Sequence, residues 1–109
     1  MIVKKDIRKF VRTLAKEFEP ERVILFGSYA GGTPTKDSDV DLMVIMRHKG
    51  DSVDQALAIR RRIDCPFPLD LIVKTPAEAR KRLRGRDMFV TRVFRDGNTL
   101  YERQRQRVD

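Results

Sequence analysis

Apolar residues in this chain recur in two rhythms, and the alternation between them predicts the order of the elements. Ile7, Phe10, Val11, Leu14, Ala15 and Phe18 repeat at steps of three and four. That spacing puts them on one stripe of an amphipathic helix over 3–18, and Pro20 marks its end. Val23 to Phe26 is a short continuous apolar run and predicts a buried strand. Gly27 and Ser28 then begin a short helix or turn that breaks at Gly31, Gly32 and Pro34. Residues 39–46, Asp-Val-Asp-Leu-Met-Val-Ile-Met, predict a second strand. Beyond Asp41 both of its alternating faces are apolar, the pattern of a central strand covered on both sides.

The second half continues in the same way. Asp51 to Ile63 reads as a helix with Val53, Leu57 and Ile63 turned inward, and Pro66 and Pro68 close that connection. Leu69 to Val73 predicts a third strand. Thr75-Pro76-Ala77-Glu78 is a helix start, because threonine caps, proline suits the first helical position and glutamate three residues on completes a capping box. That helix stops near Gly85, and another over about 86–95 presents Phe89, Val90, Val93 and Phe94 before Gly97. Thr99 to Tyr101 adds a short edge strand. The fold class is α+β of an α/β-like kind: a small mixed sheet of three to four strands flanked by helices. One domain is expected over 1–103, followed by a basic polar tail at 104–109 that frays. The pattern leaves strand directions open.

Composition narrows the function classes. The chain of 109 residues is 40% apolar and 37% charged with a formal net charge of +8, which favours polyanionic partners or a solvated basic surface. No apolar run approaches the roughly 18 residues a membrane helix needs, so no membrane span is expected. The single cysteine, Cys65, forms no internal disulfide, which fits a cytoplasmic location. Cys65 reads as a small structural residue before Pro66, and His48 as a solvated turn residue. One histidine and one cysteine make a structural zinc site implausible.

The chemistry concentrates in residues 27–41 and at Asp70. Asp39 and Asp41 lie two apart on the predicted strand, so both aim at one face, about 6–7 Å apart. Such carboxylates repel one another unless cations compensate them, and hard oxygen donors suit Mg²⁺ or Mn²⁺. Asp37 and Ser38 read as turn residues. Asp70 interrupts the apolar run Leu69-Asp70-Leu71-Ile72-Val73. If that strand lies beside the second, Asp70 points at the same metals. Asp64 competes for this role but lacks a strand to hold it. Gly27-Ser28 follows a strand and precedes a short helix, where glycine lets a phosphate approach the backbone and serine adds a donor.

Gly27-Ser28, Gly32, Ser38-Asp39, Asp41-Leu42 and Asp70 together resemble the signature of the polymerase-β-type nucleotidyltransferase superfamily. The short chain resembles its minimal nucleotidyltransferase branch over about residues 5–103, including Phe94-Arg95-Asp96-Gly97 with Leu100-Tyr101. The resemblance implies the nucleotidyltransferase fold, with Asp39 and Asp41 binding two metal ions, Mg²⁺ or Mn²⁺. Asp70 would bind the catalytic ion and help deprotonate the acceptor hydroxyl. Gly27 and Ser28, with Gly32 and Ser38, would hold the triphosphate of ATP or another NTP. The reaction implied is in-line attack of a hydroxyl on the α-phosphorus with release of pyrophosphate. Members of this size often pair with a small all-helical HEPN-type partner, frequently a ribonuclease toxin, and some neutralise it by adding AMP. One departure stands out: many relatives carry arginine before the second glycine of the loop, where this chain has Gly31, with Lys36 nearby.

Three functions follow. The first is metal-dependent transfer of a nucleoside monophosphate, AMP from ATP, to a hydroxyl on such a partner, the chain acting as antitoxin. The second is a non-catalytic antitoxin that neutralises its partner by complex formation, as Gly31 and the positive charge suggest. The third is nucleic-acid modification or binding, suggested by Arg60-Arg61-Arg62, Arg80-Lys81-Arg82-Leu83-Arg84 and the arginine-rich tail. It ranks lower because basic helical runs are often solvated faces and few aromatics are placed to stack bases.

Overall fold

The computed structural model describes residues 2–104. In chain order the elements are α1 (Lys4–Phe18), β1 (Arg22–Phe26), α2 (Ser28–Gly31), β2 (Val40–Ile45), α3 (Ser52–Arg62), β3 (Leu69–Lys74), α4 (Pro76–Arg84), α5 (Met88–Asp96) and β4 (Asn98–Glu102). Every predicted helix and strand is present, with ends moved by one or two residues. The expected tail falls mainly on 105–109, outside the described residues.

The four strands form one mixed sheet in the order β3-β2-β1-β4. β1 runs antiparallel to both β2 and β4, and β2 runs parallel to β3. The parallel pair needs a long crossover, which α3 supplies. β2 is interior and its residues Leu42 to Ile45 are all buried, as the two-faced apolar pattern requires.

Alternation along the strands divides the core. Val23, Leu25, Val40, Leu42, Val44, Leu71 and Val73 cluster with Ile7, Phe10, Val11 and Leu14 of α1 and with Ile59 of α3 and Ile63 just after it. Ile24, Met43 and Ile45 belong to the opposite cluster, with Ala79 of α4 and Val90 and Val93 of α5. The first core is the larger, and Phe67 adds an edge-on ring contact to Phe10 at 5.8 Å between centroids. Burying such side chains is what stabilises a short-stranded sheet.

Helix ends follow local chemistry. α1 stops because Glu19 turns left-handed at φ 47° and donates its N–H to the Ala15 carbonyl at 3.0 Å, one residue before Pro20. At α4 the predicted capping box is formed: the Thr75 hydroxyl accepts from the Glu78 N–H at 3.1 Å, and the Glu78 carboxylate accepts from the Thr75 N–H at 3.3 Å.

Two expectations are corrected. Val53 and Leu57 do not face the core; they are 66% and 42% exposed, whereas Ile59 is fully buried and Ile63 nearly so. α3 lies on β3 through the stripe that carries Ile59, and Val53 and Leu57 fall on its far side at 100° per residue. Phe89 is likewise 45% exposed instead of internal. α5 turns Val90 and Val93 onto the sheet, which leaves Phe89 at the margin.

Gly97 joins α5 to β4 in an ordinary extended conformation at φ −74° and ψ 166°. Its need for glycine is steric: a Cβ would collide with the Val93 carbonyl oxygen, approach Ile24 Cγ2 to 2.6 Å and approach the Leu25 carbonyl to 2.9 Å. In urea unfolding, Gly97→Ala is expected to lose about 1–3 kcal/mol through overpacking. Ile59→Ala should lose about 2–5 kcal/mol, while Leu57→Ala changes stability by less than about 0.5 kcal/mol. Equal losses at Ile59 and Leu57 would contradict the inward face described here.

Candidate functional site

Register decides which side chains meet. Phe26 of β1 pairs with Asp41 of β2, and Asp41 pairs in turn with Asp70 of β3. Residues paired across adjacent strands share a face, so Phe26, Asp41 and Asp70 form one row across three strands. Asp41 alternates with Leu42 and shares its side of the sheet with Met43 and Ile45, so the row lies on the α4–α5 face. Asp39 precedes β2 instead of lying on it and is exposed.

The Gly27-Ser28 turn touches this row. Gly27 has φ 73° and ψ −155°, a region essentially closed to other residues. An added Cβ would strike the Asp41 carboxylate and lie 3.0 Å from its Cγ. The backbone of the turn therefore stands directly against the Asp41 side chain. Gly32 ends α2 at φ 76°, and its Cβ position faces open space, so its requirement is conformational. Ser38 holds the intervening loop: its hydroxyl accepts from the Thr35 N–H at 2.9 Å, and its own N–H donates to the Thr35 carbonyl at 3.0 Å.

Burial, then the neighbouring Asp70 carboxyl and finally Asp39, push the Asp41 carboxyl above its ordinary range. Asp41 and Asp70 are direct register partners, while Asp39 acts on Asp41 only through its charge. Among the described residues no three His, Cys, Asp or Glu side chains stand together closely enough to hold a metal ion, so Asp39 is not brought into one set with Asp41 and Asp70. Asp64 lies apart, beside Asp6 and Phe10 on the α1 side of the sheet.

The remaining titratable candidates have structural partners. Cys65 donates to the Phe67 carbonyl at 3.3 Å, and burial pushes its thiol up, away from thiolate chemistry. His48 is half-buried and bonds Ser52 at 3.0 Å, so it is more engaged than a solvated turn residue.

Sequence reasoning missed the wall beside the carboxylates. Phe89 meets Phe26 edge to face with centroids 5.5 Å apart. A cavity of about 280 Å³ lies between the Gly27–Gly31 segment and α5, lined by Phe26, Gly27, Gly31, Phe89, Arg92 and Asp96 among others. The parity of Phe26 with Ile24 was the available signal for its face.

A model of the family described as nucleotidyltransferase domain matches residues 4–95. The chain belongs to that family. A relative from Methanocaldococcus jannaschii, named as a candidate protein adenylyltransferase, is 39% identical over 99 residues, which cover 89% of this chain and 96% of the relative. Two more from that organism, similarly named, are 40% and 42% identical over 42 and 43 residues, and those matches span only 42% of each relative's length. A candidate nucleotidyltransferase from Sulfolobus solfataricus shares the nucleotidyltransferase fold with a TM-score of 0.64 and 24% identity, over 91% of this chain and 79% of that one. A toxin–antitoxin structure with AMP-PNP superimposes with a TM-score of 0.55 and 22% identity, over 89% of this chain and 74% of that one. A mutant of the toxin–antitoxin MntA–HpeT does so at 0.52 and 20%, over 94% and 76%.

Carboxylate repulsion in this nucleotidyltransferase domain has a measurable sign. The fold holds the Asp41 proton more tightly than the unfolded chain does, so stability falls as pH rises from the ordinary carboxylate value of 3.8 through the raised one. Asp70→Asn removes the nearest repelling charge. In metal-free buffer it should raise Tm by a few degrees at neutral pH, the gain shrinking toward zero near about pH 3, where both states are protonated. Solvent screening keeps the effect small. A fall in Tm at neutral pH would contradict the repulsion.

Proposed function

We propose that this chain transfers a nucleoside monophosphate, AMP from ATP, to a hydroxyl on a small helical HEPN-type partner and acts as that toxin's antitoxin. The observation that carries the reading is the contact of the Gly27 backbone with Asp41, which itself stands beside Asp70. A phosphate-tolerant turn and an acidic pair meet at one point. The family, the adenylyltransferase names of the relatives and the toxin–antitoxin neighbours support the same reading.

The donor set fits a divalent cation. Asp41 and Asp70 offer hard carboxylate oxygens side by side, with exposed Asp39 joining them on binding. Burial and then the charges of Asp70 and Asp39 push the Asp41 carboxyl up, and a cation would relieve the charge part. These three residues would hold Mg²⁺ or Mn²⁺. Bound there, the ions would neutralise charge on the phosphates and on the entering and leaving oxygens.

The chain's own residues supply the rest. Gly27, lacking a side chain, leaves the backbone open to the triphosphate, and the Ser28 hydroxyl donates to it. Gly32 and Ser38 shape the loop that delivers Asp39. Asp70 is exposed at the start of β3 and takes the proton from the acceptor hydroxyl. The new bond joins that oxygen to the α-phosphorus; the bond to the β-phosphate oxygen breaks, and pyrophosphate leaves with the electron pair. Met88 and Phe89, 70% and 45% exposed at the start of α5, offer the partner apolar contact near the reacting atoms.

The test is direct. Incubated with its HEPN-type partner, Mg²⁺ and ATP labelled at the α-phosphate, the wild type should add AMP to the partner, read by intact mass. Asp41→Asn should lower the rate about 100-fold or more. No label transfer by the wild type, or equal transfer by both, would refute the catalytic reading. Undiminished neutralisation of the partner by an Asp39→Asn, Asp41→Asn double variant would replace it with neutralisation by binding alone.

A further inference from the structure

The Gly27–Gly31 segment and one face of α5, from Phe89 to Asp96, lie across from each other at the cavity described above. One wall is Gly27, Ala30 and Gly31; the other is Phe89, Arg92, Val93 and Asp96. The only basic residue between Gly27 and Asp41 is Lys36, which is exposed and does not line this cavity, so the glycine–serine turn itself carries no cation. A triphosphate adds about four negative charges to a face that already holds three carboxylates. Ions at the carboxylates compensate the end nearest them, and the far end requires a cation from the protein.

Arg92 is placed to be that cation. It shares the cavity with Gly27 and Gly31. The other charged side chain there, Asp96, is taken by Arg95 in a two-point contact at 3.0 and 3.1 Å. Arg92 makes no contact ion pair among the described residues, although its charge also acts on Asp96 one turn along α5. The remaining lining is largely apolar, through Phe26, Phe89 and Val93, so it offers a bound phosphate no competing cation. The helix that carries Arg92 is firmly seated. Val90 and Val93 are buried, Phe89 rests on Phe26, and Gly97 packs without clearance against β1. The seated helix fixes where the Arg92 side chain starts, while ordering its exposed guanidinium costs rotamer freedom that the charge-assisted contact must exceed.

We propose that Arg92 binds the terminal phosphates of the nucleoside triphosphate, supplying from α5 the positive charge that the glycine–serine turn lacks. This rests on the nucleotide-transfer reading above. The opposite wall provides an internal control. Gly31 lines the cavity with an ordinary φ, and a Cβ there meets only Thr33 Oγ1 at 3.9 Å, so a long side chain at 31 is accommodated without strain at the cavity's rim.

The experiment is calorimetric titration of MgATP and of AMP into the full chain, with circular dichroism to confirm folding. The wild type should bind MgATP. Arg92→Ala should weaken MgATP about 10- to 100-fold, the size of a lost charge-assisted contact, and shift AMP less than about 2-fold. Arg92→Lys should recover part of the loss. Adding Gly31→Arg to Arg92→Ala should restore MgATP binding to within a few-fold of wild type. Equal MgATP affinity in wild type and Arg92→Ala overturns the assignment of Arg92 and leaves the nucleotide site standing. Equal weakening of ATP and AMP also overturns it, because the loss would then not lie at the terminal phosphates. A wild type that binds no MgATP overturns the nucleotide reading itself.

Discussion

Asp41 stands beside Asp70 because β2 and β3 pair in parallel with no offset, and the site depends on that register. The pairing is held from both directions. Val40 donates to the Pro68 carbonyl at 2.9 Å at the mouth of the ladder. On the other face Leu42 and Val44 pair with Leu71 and Val73, all buried under α1 and α3. A slip of one residue would turn Asp70 into that apolar layer and expose Leu71. Desolvating a carboxylate there costs far more than the repulsion between two carboxylates at a water-accessible strand end. The larger core thus enforces a charge juxtaposition that local chemistry disfavours.

The two faces of the sheet are unequal, and the inequality makes room for ligand. α1 and α3 close one side with large aliphatic and aromatic groups. α4 and α5 cover the other with fewer and smaller buried side chains, and the Asp41–Asp70 end stays open to solvent. Gly97 and the Phe26–Phe89 contact set how closely α5 approaches that end. The chain therefore brings together a rigid sheet edge, an open acidic row and a helix margin that can meet a ligand.

Much of this was readable along the chain. Element order, the capping box at Thr75 and the central character of β2 follow from spacing and from residues whose local preferences agree with the fold. The errors have two causes. Val53, Leu57 and Phe89 are apolar residues at helical spacing, and spacing alone does not say which of two overlapping stripes meets the sheet. Asp39 was read as a strand residue because strand ends depend on the partner's length, and β3 begins opposite Val40. Arg92 gave no signal, since an arginine on a short amphipathic helix looks solvated until the wall across from it is known.

What the sequence determined by itself was the set of parts: three aspartates at strand starts, a glycine–serine turn after an apolar run, and helices with apolar residues at helical spacing. These are local facts, set by periodicity and by the few residues that tolerate tight turns. Only the tertiary structure decided which parts meet. Parallel pairing placed Asp70 beside Asp41, a glycine-only backbone conformation let Gly27 lie against that carboxylate, and the docking of α5 brought Phe89 and Arg92 to the same margin. Those contacts join residues far apart in the chain, and close packing across the sheet chooses them.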